Sequence, residues 1–306
     1  MAIDVTGLAA WTDEAKNDLI RASLLTNKTA EVITIQPGIK SSASINILAG
    51  SSIFTQGGSC GFLTSGSTVL SQRDIEVCDI KKNESVCLDT VENFWTSTRM
   101  KPGSYNQELP FEQLYSEEIA AQVSKFVEQL SWQGNVESGS EGMSLCNGLL
   151  QVIDAAVTVT GSTVTALTSS NIISVVDDIL AAIPADAISS DDLVIFMGYD
   201  TYRLWSTALR DANLFAYSGA ENQGGKFEQM VPGTNVKAIG VGGLVSQNRL
   251  ICGEASNFHM GTDLLSDQET FRIFFSEDND EVRTIVKFKL GFQVAFPERI
   301  VINEVI

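Results

Sequence analysis

Residues 268–297 read Gln268-Glu-Thr-Phe-Arg-Ile-Phe-Phe-Ser-Glu-Asp-Asn-Asp280 followed by Glu281-Val-Arg-Thr-Ile-Val-Lys-Phe-Lys-Leu-Gly-Phe-Gln-Val-Ala-Phe-Pro297. The stretch predicts two long strands around an acidic turn. Nothing in it is chemically reactive. A long hairpin that returns an apolar strand to a body begun upstream is an architectural feature.

With 306 residues and 44% hydrophobic content, the chain can build one large or two modest domains around a substantial core. Its 38 acidic against 20 basic residues give a net charge of −18. That balance argues against a protein that coats nucleic acid, because such affinity comes from Lys and Arg displacing counterions. The surface suits a container better than a phosphate binder, although any soluble acidic protein carries the same sign. Met1-Ala-Ile-Asp-Val-Thr-Gly-Leu8 shows neither a basic nor an apolar leader region, so the expected starting compartment is a cytoplasm. The uncharged run 155–176 is crowded with Thr, Ser, Gly and Asn, which excludes a membrane span there. Cys60, Cys78, Cys87, Cys146 and Cys252 are odd in number and contain no C-x-x-C pair. In a cytosol they are expected to be reduced and mostly buried.

Along the chain, Thr12 can cap a short helix, after which residues 31–36 turn extended. Residues 45–66 are poor in charge and rich in Gly, Ser and Thr. Residues 68–88 become strand-like, with Ile75, Val77, Val86 and Leu88 as β-formers around Lys81-Lys-Asn-Glu-Ser85. Two long ribbons with mobile tips follow from this pattern, too polar to make a core of their own. Pro110 then introduces a helix over 111–132, with Tyr115, Ile119, Val123, Phe126 and Leu130 on one stripe and Gly134 at the exit. At 1.5 Å per residue this rod is about 33 Å long. A Gly and Ser-rich turn at 135–142 marks a boundary. Beyond it the pattern predicts helices over 143–156 and 171–183, a buried strand at Leu193-Val-Ile-Phe-Met197, and a helix capped by Asp200 and carrying Trp205. A polar loop occupies 218–233, and an apolar, Gly-rich strand region over 235–245 leads through 250–252 to the terminal hairpin.

The motifs that suggest chemistry lack the context it needs. Gly57-Gly-Ser-Cys-Gly61 matches the G-x-S-x-G string of a nucleophile elbow, but no convincing helix follows Ser59, and the general base would have to be His259, the one histidine of the chain. A flexible loop is the simpler reading, and His259 reads as a structural polar residue in a loop. Residues 277–281 lack the glycine and the distant Glu of a calcium loop and read as a solvated turn. Gly240-Val-Gly-Gly243 starts a dinucleotide fingerprint without completing it, and reads as strand and turn. Asp177-Asp178 and Asp191-Asp192 read as surface charges or caps. No cofactor and no metal is expected.

In sequence order the elements are an arm, a Gly and Ser-rich ribbon, a long helix, an α/β unit with a looped tip, and a closing hairpin. This α+β order resembles the major capsid proteins of tailed bacteriophages, the fold first described for phage Hong Kong 97 and shared with herpesvirus shell proteins. The local text agrees at Gln107-Glu-Leu-Pro-Phe-Glu112 entering the long helix, Ser131-Trp-Gln-Gly134 leaving it, Asn147-Gly-Leu-Leu150 opening the next unit, the strand before the Trp205 helix, and residues 291–297.

The resemblance implies an N-terminal arm at 1–40, an E-loop at 41–90, a peripheral domain from 91–140 and 251–306 with its spine helix at 111–132, and an axial domain at 141–250. It implies a non-enzymatic major capsid protein that self-assembles as hexamers and pentamers into an icosahedral shell. That shell would be built in the host cytoplasm and enclose double-stranded DNA without reading its sequence. Scaffold, portal and cement proteins would be partners, and a membrane would not. The assembly residues it points to are Trp11, Gly57, Gly58, Phe62, Lys81, Lys82, Ser218, Gly219, Asn222 and Gly224. Glycines 50, 57, 58, 61 and 66 supply the bending that non-equivalent shell positions require. Some members crosslink Lys to Asn, but no spacing here identifies partners for Lys81 or Lys82, and crosslinking is not expected. Two other readings stand beside this one: a serine hydrolase using Ser59 and His259, and a β-rich surface or adhesin protein, which would need an export signal.

Overall fold

The computed structural model describes residues 27–52, 54, 66–87, 111–140, 142–212, 227–263 and 270–305. The proposed Thr12 helix, Trp11, Gly57, Gly58, Ser59, Cys60, Phe62, Ser218, Gly219, Asn222 and Gly224 lie outside them.

The C-terminal hairpin organises the first of two sheets. β12 (Glu281–Val294) pairs antiparallel with β11 (Thr270–Ser276) across the exposed turn 277–280, as the sequence predicts. Its buried side chains alternate at Val282, Thr284, Val286, Phe288 and Leu290, the period of a strand with one face on a core. β12 also pairs antiparallel with β4 (Cys78–Cys87) and with β10 (Phe258–Thr262), and β1 (Thr34–Gln36) adds to β10 in parallel. Leu290 is thus flanked by Cys78 and Thr262.

Several expectations are corrected in this region. Lys81–Ser85 is no ribbon tip: those residues lie in mid-strand opposite residues 283–287, because Ile80 and Val86 bracket them with side chains that turn toward the core. The extended reading of 31–36 holds only for β1. Asn27 instead caps a short helix, α1 (Lys28–Val32), its Oδ1 accepting the Ala30 N–H at 2.7 Å. His259 lies in strand β10, not in a loop.

The predicted long helix is present as α2 (Phe111–Gln133). Ile119, Val123 and Leu130 are buried as expected, and Val127, Ser131 and Trp132 join them. The helix expected over 143–156 is broken. A 3-10 turn at Met143–Leu145 precedes an extended Cys146, and α3 (Leu149–Asp154) starts after Gly148, because Cys146 is drawn into a disulfide. That disulfide, to Cys78, corrects the expectation of reduced cysteines for these two residues, whereas Cys87 and Cys252 are free. The bond joins Cα atoms 5.8 Å apart across a sequence separation of 68. A closure of this length is worth about 4 kcal/mol in the chain-entropy account. Cys252 is buried as expected, whereas Cys87 is exposed.

The second sheet has six strands in the order β5 (Val159–Val164), β13 (Val301–Val305), β9 (Leu250–Glu254), β6 (Leu193–Gly198), β8 (Lys237–Val241) and β7 (Glu228–Met230). β6 is the continuous apolar strand expected at 193–197, and both its faces are covered. Val194 and Phe196 meet α2 and the first sheet. Leu193, Ile195 and Met197 meet α4 (Ile172–Ala181) and α5 (Tyr199–Asp211). Phe196 packs between Trp132, tilted at 5.1 Å, and Phe258, edge-to-face at 5.3 Å between ring centroids, joining helix and both sheets in one core. Asp200 is not the cap of α5, since Gly198 holds that position. Asp200 Oδ1 instead accepts from the Thr201 N–H and Oδ2 from the Ser246 N–H, each at 2.9 Å.

A third sheet, β2 (Ser42–Ser52) with β3 (Gly66–Glu76), is a two-stranded ribbon of about 35 Å. Its root is seated on β12. Arg73 Nη1 donates to the Val294 carbonyl at 2.9 Å, Gln293 Nε2 donates to the Asp74 carbonyl at 2.8 Å, and Ile75 is fully buried. Gly291 permits this seating, because a Cβ there would stand 2.1 Å from the Glu76 carbonyl oxygen. Gly291→Ala must therefore displace backbone, with an expected cost of about 1–3 kcal/mol. Urea unfolding should show a lower midpoint at unchanged slope, and an unchanged midpoint would refute the close approach.

Candidate functional site

The described residues form no catalytic constellation, and the features that stand out are surfaces and the devices that hold them. The ribbon is the first. Its cross-strand register sorts the side chains into two faces. On one, Ser44 Oγ donates to Asp74 Oδ1 at 2.6 Å and Gln72 Nε2 donates to Asn46 Oδ1 at 2.8 Å, polar ladders suited to water. Further out on that same face Leu48 stands opposite Leu70, with 67% and 79% of their surface exposed. Val69, on the other face, is 58% exposed, whereas Ile47 and Ile75 nearer the root are buried. The outer ribbon therefore exposes apolar side chains on both faces and, among the described residues, pairs with no other strand.

The second device anchors α1, which at five residues is too short to persist alone. Glu128 on α2 is only 7% exposed. Its Oε1 accepts from Thr29 Oγ1 at 2.8 Å and from the Gly242 N–H at 3.1 Å, and its Oε2 accepts from the Thr29 N–H at 3.2 Å. Trp132 Nε1 donates to Thr29 Oγ1 at 2.7 Å, so indole, hydroxyl and carboxylate form one directed chain. Lys28 of α1 pairs with Glu228 of β7 and with Glu31. The 3-10 turn Gly242–Leu244 lies flat against α2, and a Cβ on Gly243 would be 2.3 Å from both the Glu128 carbonyl oxygen and Trp132. The Gly240–Gly243 string is strand and turn, as expected, and its glycines serve packing. One carboxylate thus ties the N-terminal segment, the long helix and the second sheet together. Burial raises its pKa above the usual carboxylate value, only partly countered by the bonds from Thr29 and from Gly242 and Gly243.

Lys81 is exposed, opposite Lys287. Lys82 is committed within the chain, donating to Gln122 Oε1 at 2.8 Å and pairing with Glu84 at 2.9 Å. His259 is half-buried, its Nδ1 3.3 Å from Gln36 Nε2, and burial lowers its pKa. It is a strand residue bonded to its parallel neighbour. Asp192, one of the carboxylates read as caps, accepts the Ser256 N–H at 2.9 Å, and Asp178 accepts from Ser162 Oγ at 3.2 Å. No helix among the described residues is long and apolar enough to cross a membrane. Glu128 escapes sequence reasoning because one Glu on an otherwise amphipathic helix reads as solvated. Its only textual trace is the neighbouring Trp132 and the Gly242-Gly243 pair.

No protein-family model matches the sequence, and no curated protein does either. Solved structures do match. The satellite phage P4 procapsid including size determination (Sid) protein shares 14% identity, over 96% of this chain and 98% of that one, with a TM-score of 0.60. The capsid of an empty GTA particle shares 12%, over 92% and 90%, with a TM-score of 0.57. The capsid of Myoviridae phage XM1 shares 13%, over 90% of each, with a TM-score of 0.54. At this identity the likeness establishes architecture. The chain has the α+β major capsid protein fold of phage shells, as its element order implied.

The Glu128 anchor makes a testable claim. Glu128→Ala leaves three donors without their acceptor and should cost about 3 kcal/mol or more, whereas Glu128→Gln, which keeps one acceptor oxygen, should cost about 1–3 kcal/mol. The folded pKa is raised, so Glu128 contributes its full stability below the ordinary carboxylate pKa and loses it as pH rises through the raised value. Thermal unfolding of the wild type should therefore decline, relative to Glu128→Gln, as pH climbs across that window. Parallel curves would contradict it.

Proposed function

We propose that this chain is the major capsid protein of a tailed phage, a non-enzymatic subunit that assembles as hexamers and pentamers into an icosahedral shell around double-stranded DNA. The observation that carries this reading is the outer ribbon, considered together with the fold. Among the described residues nothing covers Leu48, Val69 and Leu70 on the ribbon, which leaves them placed for burial by another copy. Fully burying a leucine side chain is worth about 1.5–3 kcal/mol, modest once but large when repeated around a closed assembly. A net charge of −18 suits the lining of a vessel that holds DNA without gripping it.

In this reading residues 1–40 are the arm, with α1 as its anchor, and 41–90 are the E-loop; β1 and β4 are the strands that return these two segments into the first sheet. The first sheet and α2 form the peripheral domain, and the six-stranded sheet with α4 and α5 forms the axial domain. β9 and β13, although late in the chain, go with the axial sheet in which they pair. Ser218, Gly219, Asn222 and Gly224 would sit at the axial tip, and Trp11, Gly57, Gly58, Phe62 and Lys81 at contacts between copies. Scaffold, portal and cement proteins are the partners this role calls for, and the host cytoplasm is the place of assembly.

Negative-stain microscopy and sedimentation of purified protein test the reading. Wild type should give capsomers or closed shells. Leu48→Asp combined with Leu70→Asp should abolish them, while circular dichroism of the unassembled chain stays unchanged, since neither side chain contributes to the core. A wild type that remains monomeric at high concentration, or a double variant that assembles normally, would refute it.

A further inference from the structure

Two sulfurs sit where the ribbon leaves the body. Cys78 opens β4 two residues after β3 ends, and Cys146 lies in the segment between α2 and α3; a disulfide joins them. Besides this bond, the ribbon root is held by buried Ile75, by hydrogen bonds from Arg73 to the Val294 carbonyl, Gln293 to the Asp74 carbonyl, the Val77 N–H to the Ser41 carbonyl at 3.0 Å and Lys289 Nζ to the Lys40 carbonyl at 2.8 Å, and by the Lys289–Asp79 ion pair at 3.4 Å. Among the described residues this bond is the one covalent tie between the ribbon root and the segment that follows the long helix, added to the seat that β12 provides.

We propose that Cys78 and Cys146 form a redox lock on the ribbon, resting on the capsid reading above: a dithiol while the shell is built in a reducing cytoplasm, a disulfide once the particle leaves it. A dithiol leaves the Cys78 end of the root without a covalent tie while copies settle into non-equivalent positions, and oxidation then sets the same Cys78–Cys146 geometry in each copy. The oxidant is a small-molecule disulfide. The Cys78 thiolate attacks one of its sulfurs, forming a mixed disulfide and releasing one small thiolate. The Cys146 thiolate then attacks the Cys78 sulfur and releases the second. The two protons lost by the cysteines end on the two small thiols, and the pair of electrons passes to them. Exposure sets this order, because Cys78 is half-buried and Cys146 is buried.

The other described cysteines leave the pair undisturbed. Burial pushes the Cys252 thiol up to about 12, so it does not supply a thiolate at neutral pH. Cys87 is exposed at the far end of β4, nine residues from Cys78. In a strand that separation is about 30 Å, and the odd spacing puts the two on opposite faces.

The test maps thiols in particles and measures their heat resistance. Cells making the protein are lysed either directly into denaturant with N-ethylmaleimide, or into buffer from which particles are purified and treated with glutathione disulfide. Mass spectrometry should find Cys78 and Cys146 alkylated in the first sample and joined in the second. Reducing the oxidised particles should lower their melting temperature by about 5 °C or more. Particles of the Cys78→Ala/Cys146→Ala variant should form with normal shape and show no response to reductant. A disulfide already complete inside the cell, a dithiol that persists in oxidised particles, or an equal response of the double variant would each overturn the lock while leaving the shell role intact. Absence of particles from the wild type would overturn both.

Discussion

Strand β12 is the constraint on which the rest of the structure depends. Over 281–287 it is paired on both edges, by β4 and β11, and at 290–294 it receives β10. Its alternate residues form the floor on which α2 lies. Its last third, at Gly291 and Gln293, also seats the root of the ribbon. A one-residue slip would turn Val282, Val286, Phe288 and Leu290 to the wrong face, so the apolar pattern fixes the register of several partners at once. The ribbon's departure from the body is therefore a consequence of core packing, set by the same strand that closes the first sheet.

A second tie works across the sheets. The aromatic sequence Trp132, Phe196, Phe258 packs the end of α2 against both sheets, and Glu128 gathers donors from α1 and from the turn after β8. A buried carboxylate is costly unless its oxygens are satisfied, and here three donors do so. The consequence is that α1 has one seat on the body. Among the described residues, the molecule combines a two-sheet body with a short helix seated by Glu128 and a ribbon whose root is held and whose Leu48, Val69 and Leu70 stay exposed.

Much of this architecture was legible because it depends on periodicity. The terminal hairpin, the long helix and the doubly buried strand at 193–197 announce themselves by runs of apolar residues at strand or helix spacing. What escaped depends on tertiary context. β5 lies in a Thr, Ser and Gly-rich run whose half-buried face gives little alternation, and β13 is a short C-terminal strand recruited by β5 and β9. Lys81–Ser85 reads as a turn by composition, yet pairing to β12 overrides that preference. The Cys78–Cys146 pair has no local signature, because residues 68 apart meet only once β4 and the loop after α2 are in place. Of the assembly residues singled out, Lys81 is on the surface and Lys82 is engaged by Gln122 and Glu84. The side chains that best mark the candidate surface, Leu48 and Leu70, were hidden in a segment whose composition reads only as polar ribbon.

Completion of the outer ribbon by another copy of the chain, as proposed, is read from hydrogen exchange of the ribbon amides in unassembled and assembled protein. Amides of β2 and β3 beyond Ile47 and Ser71 should exchange rapidly in the free chain and become protected on assembly, while those of β12 stay protected in both. Equal exchange of the outer ribbon in the two states would contradict it.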